Sequence, residues 1–333
     1  LGFGFTKCID GEQTVIFQSH MNRNITRTDE TTTPPEGIYH IELDDGDYIV
    51  GDDTRSPSLF EDFARQPERL INAYGRNLVL TAAAPFSDQE NPLHIVIGLP
   101  VTYFQRWETE LMGRLTGYHK IGVYQPDGRC TRKNLHIRKV HVVPHPLGTF
   151  TSLIMDEEGR LRDSEYNKKK IAIVDIGFRT TDIMVMASAR FCNRGSSTIE
   201  MGMANGFEMV ARKLYRETGT VPDLNRLYKA IRMGFIRIED QEYNLEIRRA
   251  EMYRHLSSAL ADRINYGLKD DWDIDRVLLT GGGASDIAGD LAPLIDGEVV
   301  LIEHDQDVRL INAQGQLRLA RHLWGASGLC HAG

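Results

Sequence analysis

The 333-residue sequence predicts an α/β protein of two related domains. Apolar strand-like runs alternate with helical periodicity along most of the chain, the pattern of layered α/β architecture. Two short glycine-bearing segments roughly 175 residues apart resemble each other closely. A very polar stretch, Asp156 to Lys170, with ten charged residues in fifteen, separates the two halves and marks a domain boundary.

The elements follow in order. Gln13–Ser19 has the composition of a strand. Ile38–Leu43 and Tyr48–Val50 flank Asp44-Asp45-Gly46-Asp47, a hairpin signal. Residues Pro67–Ala84 have helical character, and Leu93–Gly98 is a buried strand. Tyr103, Phe104, Trp107, Leu111 and Leu115 recur at three- and four-residue spacing, which predicts a helix after that strand. A polar hairpin turns at Pro126-Asp127-Gly128, and Val140–Val143 is again strand-like. In the second half, Ile171–Val174 is a core strand and Ile183–Met186 its partner. Helices are predicted at about Gly202–Arg216 and Glu246–Leu268. A short strand at Arg276–Leu279 and a last helix at about Asn312–Trp324 complete the pattern.

Composition excludes several classes. Hydrophobic residues make up 41% and charged residues 26%, as in soluble globular proteins. The net charge of −8 gives no global attraction to nucleic acid, so no direct nucleic-acid partner is expected. The short Lys168–Lys170 run reads as a solvated loop. No stretch approaches the roughly 18 apolar residues that span a bilayer, and no membrane partner is expected. Cys8, Cys130, Cys192 and Cys330 are scattered without C-x-x-C spacing, which fits a reduced, cytoplasmic setting rather than a disulfide framework. His136, His141 and His145 lack a Cys or carboxylate pattern around them and read as strand-surface histidines rather than metal ligands. Neither a G-x-x-x-x-G-K-[ST] loop nor a G-x-G-x-x-G fingerprint occurs.

The repeated segments carry the chemistry. Leu1-Gly2-Phe3-Gly4-Phe5-Thr6-Lys7 aligns without gaps on Ile176-Gly177-Phe178-Arg179-Thr180-Thr181-Asp182, so that Gly2 meets Gly177, Phe3 meets Phe178 and Thr6 meets Thr181. A small hairpin turn exposes backbone N–H groups and hydroxyls that can cradle phosphate oxygens. Asp175, just before the second turn, can present a carboxylate to Mg²⁺ or its waters, and Lys7 can reach a phosphate as a point charge. Two ordinary hairpins, with Gly easing a turn and Thr filling a strand, are the plain alternative; the matched pair in a two-domain chain favours the functional reading. If the alignment holds, the residue before Leu1 is expected to be Asp, ending a strand of about five to eight residues, since a hairpin needs both arms.

These segments resemble the landmarks of the actin superfamily, whose ATPase fold joins two related α/β domains around a nucleotide cleft. Leu1–Lys7 is similar to the first phosphate loop and Asp175–Asp182 to the second. Val277-Leu278-Leu279-Thr280-Gly281-Gly282-Gly283-Ala284 resembles the adenosine motif, a strand ending in glycines that let backbone approach the nucleotide. Val140–Gly148 resembles the first connecting segment and Ile311–Gly315 the second, all five in the family order. Gly98-Leu99-Pro100, the Val140–Pro144 run and the compact length bring the resemblance closest to bacterial and archaeal actins of the ParM/StbA plasmid-segregation type.

The resemblance implies a first domain of residues 1–150 plus 306–333, with a small subdomain inserted at about 34–92, and a second domain of 151–305. It implies ATP or GTP with Mg²⁺ as cofactors. Gly2, Phe3, Gly4, Phe5, Thr6, Lys7, Gly177, Phe178, Arg179, Thr180, Thr181, Gly281, Gly282, Gly283 and Ala284 would contact the nucleotide, and Asp175 would serve metal and catalysis. It further implies head-to-tail filaments of self-associated copies, hydrolysis of the nucleotide, and a plasmid cargo carried through a DNA-binding adaptor. At His145 the family has Glu or Gln, which can accept a hydrogen bond from the attacking water. Imidazole titrates near neutral pH and its neutral form also offers one acceptor, so His145 is either a water-orienting residue or a packing residue of the cleft wall. A small-molecule kinase on the same fold is the alternative, but the sequence shows no base aimed at an acceptor hydroxyl.

Overall fold

The computed structural model describes residues 1–23, 37–51, 67–87, 91–125, 127–222, 224–302 and 307–325. Parts of the expected 34–92 insertion, Pro126 of the expected hairpin turn, the 305/306 boundary and Cys330 lie outside the described residues. The chain divides into two compact units, residues 1–163 with 310–333, and residues 164–309.

Unit 1 begins with an antiparallel pair, β1 (Phe5–Ile9) and β2 (Thr14–Gln18), in which Thr6 faces Phe17 and Lys7 faces Ile16. β3 (Met21–Arg23), β4 (Tyr39–Leu43) and β5 (Gly46–Val50) follow. The expected helix at 67–84 is interrupted. A 3₁₀ turn at Pro67–Leu70 is followed by α1 (Ala73–Ala83), because the Asn72 side chain accepts from the Tyr74 N–H and caps a new helix there. Pro85 then tightens the end into a second 3₁₀ turn. β6 (Leu93–Leu99) runs into α2 (Val101–Leu115), whose buried Trp107, Leu111 and Leu115 are the predicted apolar stripe. β7 (Gly117–Tyr124) and the long β8 (Cys130–Pro144) form a hairpin. The sheet order is β3-β5-β4-β7-β8-β6, with β6 and β8 parallel.

α3 (His145–Ile154) starts directly at the end of β8 with Pro144 as its N-cap. The last helix returns to this unit and packs against it. Unit 2 precedes it in sequence and is built on one five-stranded sheet, β11-β10-β9-β14-β15, from β9 (Lys170–Ile176), β10 (Thr181–Ala187), β11 (Arg190–Ile199), β14 (Arg276–Thr280) and β15 (Val299–Leu301). β9, β14 and β15 are parallel neighbours, while β10 is antiparallel to both β9 and β11. Ile171, Ala172, Ile173 and Val174 of β9 are wholly buried, as expected for a strand covered on both faces. The helices are α4 (Met203–Thr218), α5 (Leu224–Met233), α6 (Glu246–Leu268) and α7 (Ala284–Leu291), with a small hairpin of β12 (Phe235–Ile238) and β13 (Gln241–Asn244) after α5. Among the described residues no helix is long and apolar enough to cross a membrane.

The final helix, α8 (Ile311–Trp324), crosses α3 at a close backbone approach. A Cβ on Gly315 would overlap the Gly148 carbonyl, and one on Gly148 would lie 2.6 Å from the Asn312 Cα. Asn312 Oδ1 accepts from both the N–H and the hydroxyl of Thr149, each at 2.9 Å, which fixes the rotation of one helix on the other. Farther along α8, the Arg318 guanidinium donates to the Met155 carbonyl at 3.0 Å, and His322 Nδ1 donates to the Gly159 carbonyl at 2.9 Å. Overpacking a close crossing typically costs about 1–3 kcal/mol and more where backbone must shift. Gly315→Ala is therefore expected to lower the urea midpoint of unit 1 by at least that free energy. The control is Gly113→Ala, at an exposed α2 position with open space around it, which should be neutral or stabilising by up to about 1 kcal/mol. Equal midpoints for the two variants would contradict the crossing.

Candidate functional site

In unit 2 the residues singled out by sequence gather at the carboxyl ends of the parallel strands β9 and β14, where open α/β sheets place ligands. In unit 2, β9 ends in Asp175-Ile176 beside Thr280 at the end of β14. The chain then turns through Gly177–Thr180 into β10, with the Gly177 N–H donating to the Thr180 carbonyl at 2.9 Å. The Phe178 ring packs into the core, 6.0 Å from Phe207, which in turn meets Tyr228 edge-on. α4 begins on top of this turn: Met203 N–H donates to the Gly177 carbonyl at 3.2 Å and Ala204 N–H to the Phe178 carbonyl at 2.8 Å. Two of the helix's orphan N–H groups are thereby satisfied. Gly202 has to be small, since its Cβ would sit 2.6 Å from the Gly177 oxygen, and its N–H is held by Asn205 Oδ1 at 3.0 Å.

The glycine run after β14 closes on the same place. Gly281 has φ +94°, and a Cβ there would overlap Asp175 Oδ1 and approach the Ile176 carbonyl to 2.6 Å. Gly283 donates its N–H to the Ile176 carbonyl at 3.0 Å and has no room for a Cβ against Met203. Gly282 lies under Arg309, whose guanidinium is held by Asp307. Ala284 is the first residue of α7 and is buried. Asp175 itself is 8% exposed and faces the buried Asp182 across the β9–β10 pair; Asp182 in turn accepts from the Thr198 hydroxyl at 2.5 Å. The structure thus brings Asp175, the 177–180 turn and the 281–284 run together.

Unit 1 repeats the first half of this arrangement. A Cβ on Gly2 would stand 3.1 Å from the Phe5 carbonyl, and one on Gly177 would stand 2.9 Å from the Thr180 carbonyl, the aligned position. Phe3 is 5% exposed in the core, as Phe178 is packed against its own. Gly4 accepts from the Ser19 N–H at 3.0 Å. His145, at the start of α3, places Nε2 2.8 Å from the Leu1 carbonyl. A carbonyl can only accept, so Nε2 carries the proton. Gly98 permits this meeting, because a Cβ there would lie 2.6 Å from His145 Cδ2 and 2.5 Å from Gln316 Nε2. Lys7 lies in β1 opposite Ile16.

Three of the expected site side chains have protein partners of their own. Thr6 and Thr181 are 2% and 0% exposed and turned inward. Ser19 donates to the Gly2 carbonyl at 2.5 Å, so the Thr6 hydroxyl donates to Ser19 at 2.9 Å. Thr181 donates to the Met201 carbonyl at 2.9 Å. Both hydroxyl protons hold the turn rather than face a phosphate. Arg179, expected among the nucleotide contacts, is bound to Glu208 of α4 at 2.7 Å with its side chain only 12% exposed. The sequence reading missed Ser19, Gly202, Asn205, Glu208 and Arg309, which shape the turns from elsewhere in the chain. The Gly202-x-x-Asn205 spacing at a helix start was the available signal.

Residues 1–148 match the family model described as actin-like proteins, N-terminal domain, and residues 173–292 match the archaeal actin homologue MreB-like C-terminal model. A search of curated proteins gives no match. Among solved structures, a 15-stranded ParM filament from Clostridium botulinum is similar at TM-score 0.76 and 20% identity, over 96% of this chain and 97% of that one. The archaeal actin homologue Ta0583 is similar in its native form at TM-score 0.75 and 19% identity, over 96% of both chains. Its complex with ADP gives TM-score 0.73 and 18% identity, again over 96% of both. With an actin-like model on each half and an actin fold along nearly its whole length, the chain belongs to the actin-like proteins.

Proposed function

We propose that this chain is a nucleotide-driven, filament-forming actin homologue that binds ATP (or GTP) with Mg²⁺ and hydrolyses it. The observation that carries the reading is the duplicated glycine turn, which in unit 2 follows the carboxyl end of β9 and is joined there by the Gly281–Gly283 run beside Asp175. Each turn would offer backbone N–H groups to phosphate oxygens, with Thr6 and Thr181 as internal supports. The 281–284 backbone would lie along the nucleoside. The cradle fits these groups: the Gly281 Cβ position is filled by the Asp175 carboxylate, which sits at a strand end with one face toward the glycines. Asp175 would hold Mg²⁺ through its waters, as that ion prefers few carboxylates, and the bound ion would supply neutralising charge at the phosphates. Catalysis would rest on positioning and electrostatics for in-line attack of water. His145, its Nε2–H anchored on the Leu1 carbonyl, would orient that water. The solved relatives with ADP and in a ParM filament support nucleotide binding and self-assembly. Segregation of a plasmid through a DNA-binding adaptor suits a chain of net charge −8, which gives no global attraction to DNA.

Asp175→Ala should lower nucleotide hydrolysis by on the order of 10²-fold or more with an unchanged circular dichroism spectrum; parental phosphate release from this variant would remove Asp175 from the metal. His145→Ala should slow hydrolysis roughly 10- to 1000-fold at unchanged nucleotide affinity. A variant as fast as its parent assigns the water to another group. Assembly should show a critical concentration in right-angle light scattering with ATP and Mg²⁺, because head-to-tail contacts do not close. A protein that stays monomeric in sedimentation at high concentration with both present would overturn the filament reading and favour a kinase.

A further inference from the structure

Trp272 is 89% exposed, the most open large apolar side chain among the described residues. Its loop is held firmly on both sides. α6 ends at Leu268, whose carbonyl accepts from the Asp271 N–H at 2.8 Å. Lys170 donates its ammonium protons to Asp271 at 2.9 Å and to Asp273 at 2.5 Å, and its backbone N–H to Asp275 at 2.7 Å. The chain is thus tied down before and after Trp272 while the indole stays outside. An aromatic ring presented on a fixed loop loses little freedom on burial against a partner, which is what a strong anchor requires. Lys269–Asp275 holds four aspartates to one lysine, and the exposed Asp270 has no ion pair among the described residues.

Unit 1 carries a pocket of the opposite character. Its volume is about 450 Å³, within the range of about 300–1,000 Å³ in which pockets bury a ligand group. Met112 of α2 and Leu323 and Trp324 of α8 form an apolar wall, and Arg138 and Lys139 of β8 supply two cations. Strand alternation would send these neighbours to opposite faces. A bulge brings them together: pairing with β6 passes from Leu93 opposite Ile137 to His94 opposite Lys139, which leaves Arg138 as the extra residue. Neither cation has an ion pair among the described residues, although Lys139 Nζ stands 6.0 Å from the Trp324 ring centroid. Burial, and then the charges of Lys139 and Arg138, hold the neighbouring His94 below the ordinary imidazole pKa, so this ring, edge-on to Trp324 at 5.2 Å, adds no charge. Among the described residues no carboxylate lines the pocket.

We propose that this pocket receives Trp272 of a second copy of the chain, the indole packing against Trp324 and the Arg138 guanidinium while the Asp270 carboxylate meets the two cations. The inference rests on the filament reading above and names one of its contacts. A buried indole covers roughly 150–250 Å² and a planar guanidinium stacks on its face. Charge selects the same partner. Copies of net charge −8 repel one another, and matching an aspartate-rich loop to an uncompensated pair of cations removes that penalty where they touch. Anchor and pocket are different surfaces of one chain, so the contact is heterologous, and a heterologous contact that does not close continues into a filament.

The test follows assembly of the full chain by sedimentation with ATP and Mg²⁺. Trp272→Ala and the double variant Arg138→Glu with Lys139→Glu should each raise the critical concentration at least about tenfold, whereas Trp272→Phe should stay near the parent. All three should bind nucleotide with parental affinity, since neither surface belongs to the nucleotide site. Trp272→Ala keeps the pocket and the double variant keeps the anchor. Mixed one to one below their own critical concentrations, they should form a discrete heterodimer that neither forms alone. Assembly of either variant at the parental critical concentration would overturn the contact and leave the filament reading in place. Variants that neither assemble nor pair would assign the two surfaces to separate contacts, which also overturns it. A parent that stays monomeric removes the filament reading and this contact with it.

Discussion

A core strand that ends, turns within four residues and returns antiparallel leaves no volume on the inside of its turn, and between β9 and β10 glycine occupies that point. At Gly177 the constraint is sharpest because three elements converge on it. The Thr180 carbonyl lies 2.9 Å from where its Cβ would be, α4 is bonded onto the turn from above, and the Gly202 position is limited by the Gly177 oxygen. The consequence is mechanical. Phe178 must point into the Phe207–Tyr228 cluster, and Arg179 must lean along α4 to Glu208. What remains toward the strand end is backbone and the Asp175 carboxylate, with Asp182 facing it across the strand pair. A site made of main-chain dipoles and buried acids is preorganised by packing, so its geometry depends on core residues that never touch a ligand.

Much of this was legible in the sequence, for a physical reason. Strands buried on both faces, such as Ile171–Val174, have a composition that surface contacts cannot imitate, and a glycine that must lack a Cβ leaves its trace in any sequence. The hydrogen-bond directions were not legible. Thr6 and Thr181 are spaced as phosphate-facing hydroxyls would be, but their partners are Ser19 and Met201, thirteen and twenty residues away. Spacing along one strand identifies a turn; it does not tell which way a rotamer points once a second strand arrives.

The elements that escaped prediction share a different cause. β11 reads Arg190-Phe-Cys-Asn-Arg-Gly-Ser-Ser-Thr-Ile199, a polar run broken by Gly195 at φ +74°, and it becomes a strand only because β10 offers an edge. α3 carries Pro146, Gly148, Thr149 and Thr151, a poor helix by propensity. It forms because α8 lies against it, with Gly148 and Gly315 at the crossing and Asn312 satisfying Thr149. In both cases tertiary contact overrides local preference.

His145, singled out in the sequence, stands at the start of this same helix, and its chemistry follows from that position. α3 begins at His145, so its side chain is aimed by the helix start and not by its own rotamer alone. The Leu1 carbonyl, 2.8 Å away, demands a donor at that position. A glutamate there would set two acceptors against each other and could remain only if protonated, while a glutamine could give its amide N–H to Leu1 and keep its own oxygen as acceptor. Histidine meets the same demand with Nε2–H. Protonation leaves that anchoring bond intact and removes only the lone pair of Nδ1. The anchoring of His145 and any acceptor role it has toward water are therefore carried by different nitrogens, so loss of the second does not require loss of the first.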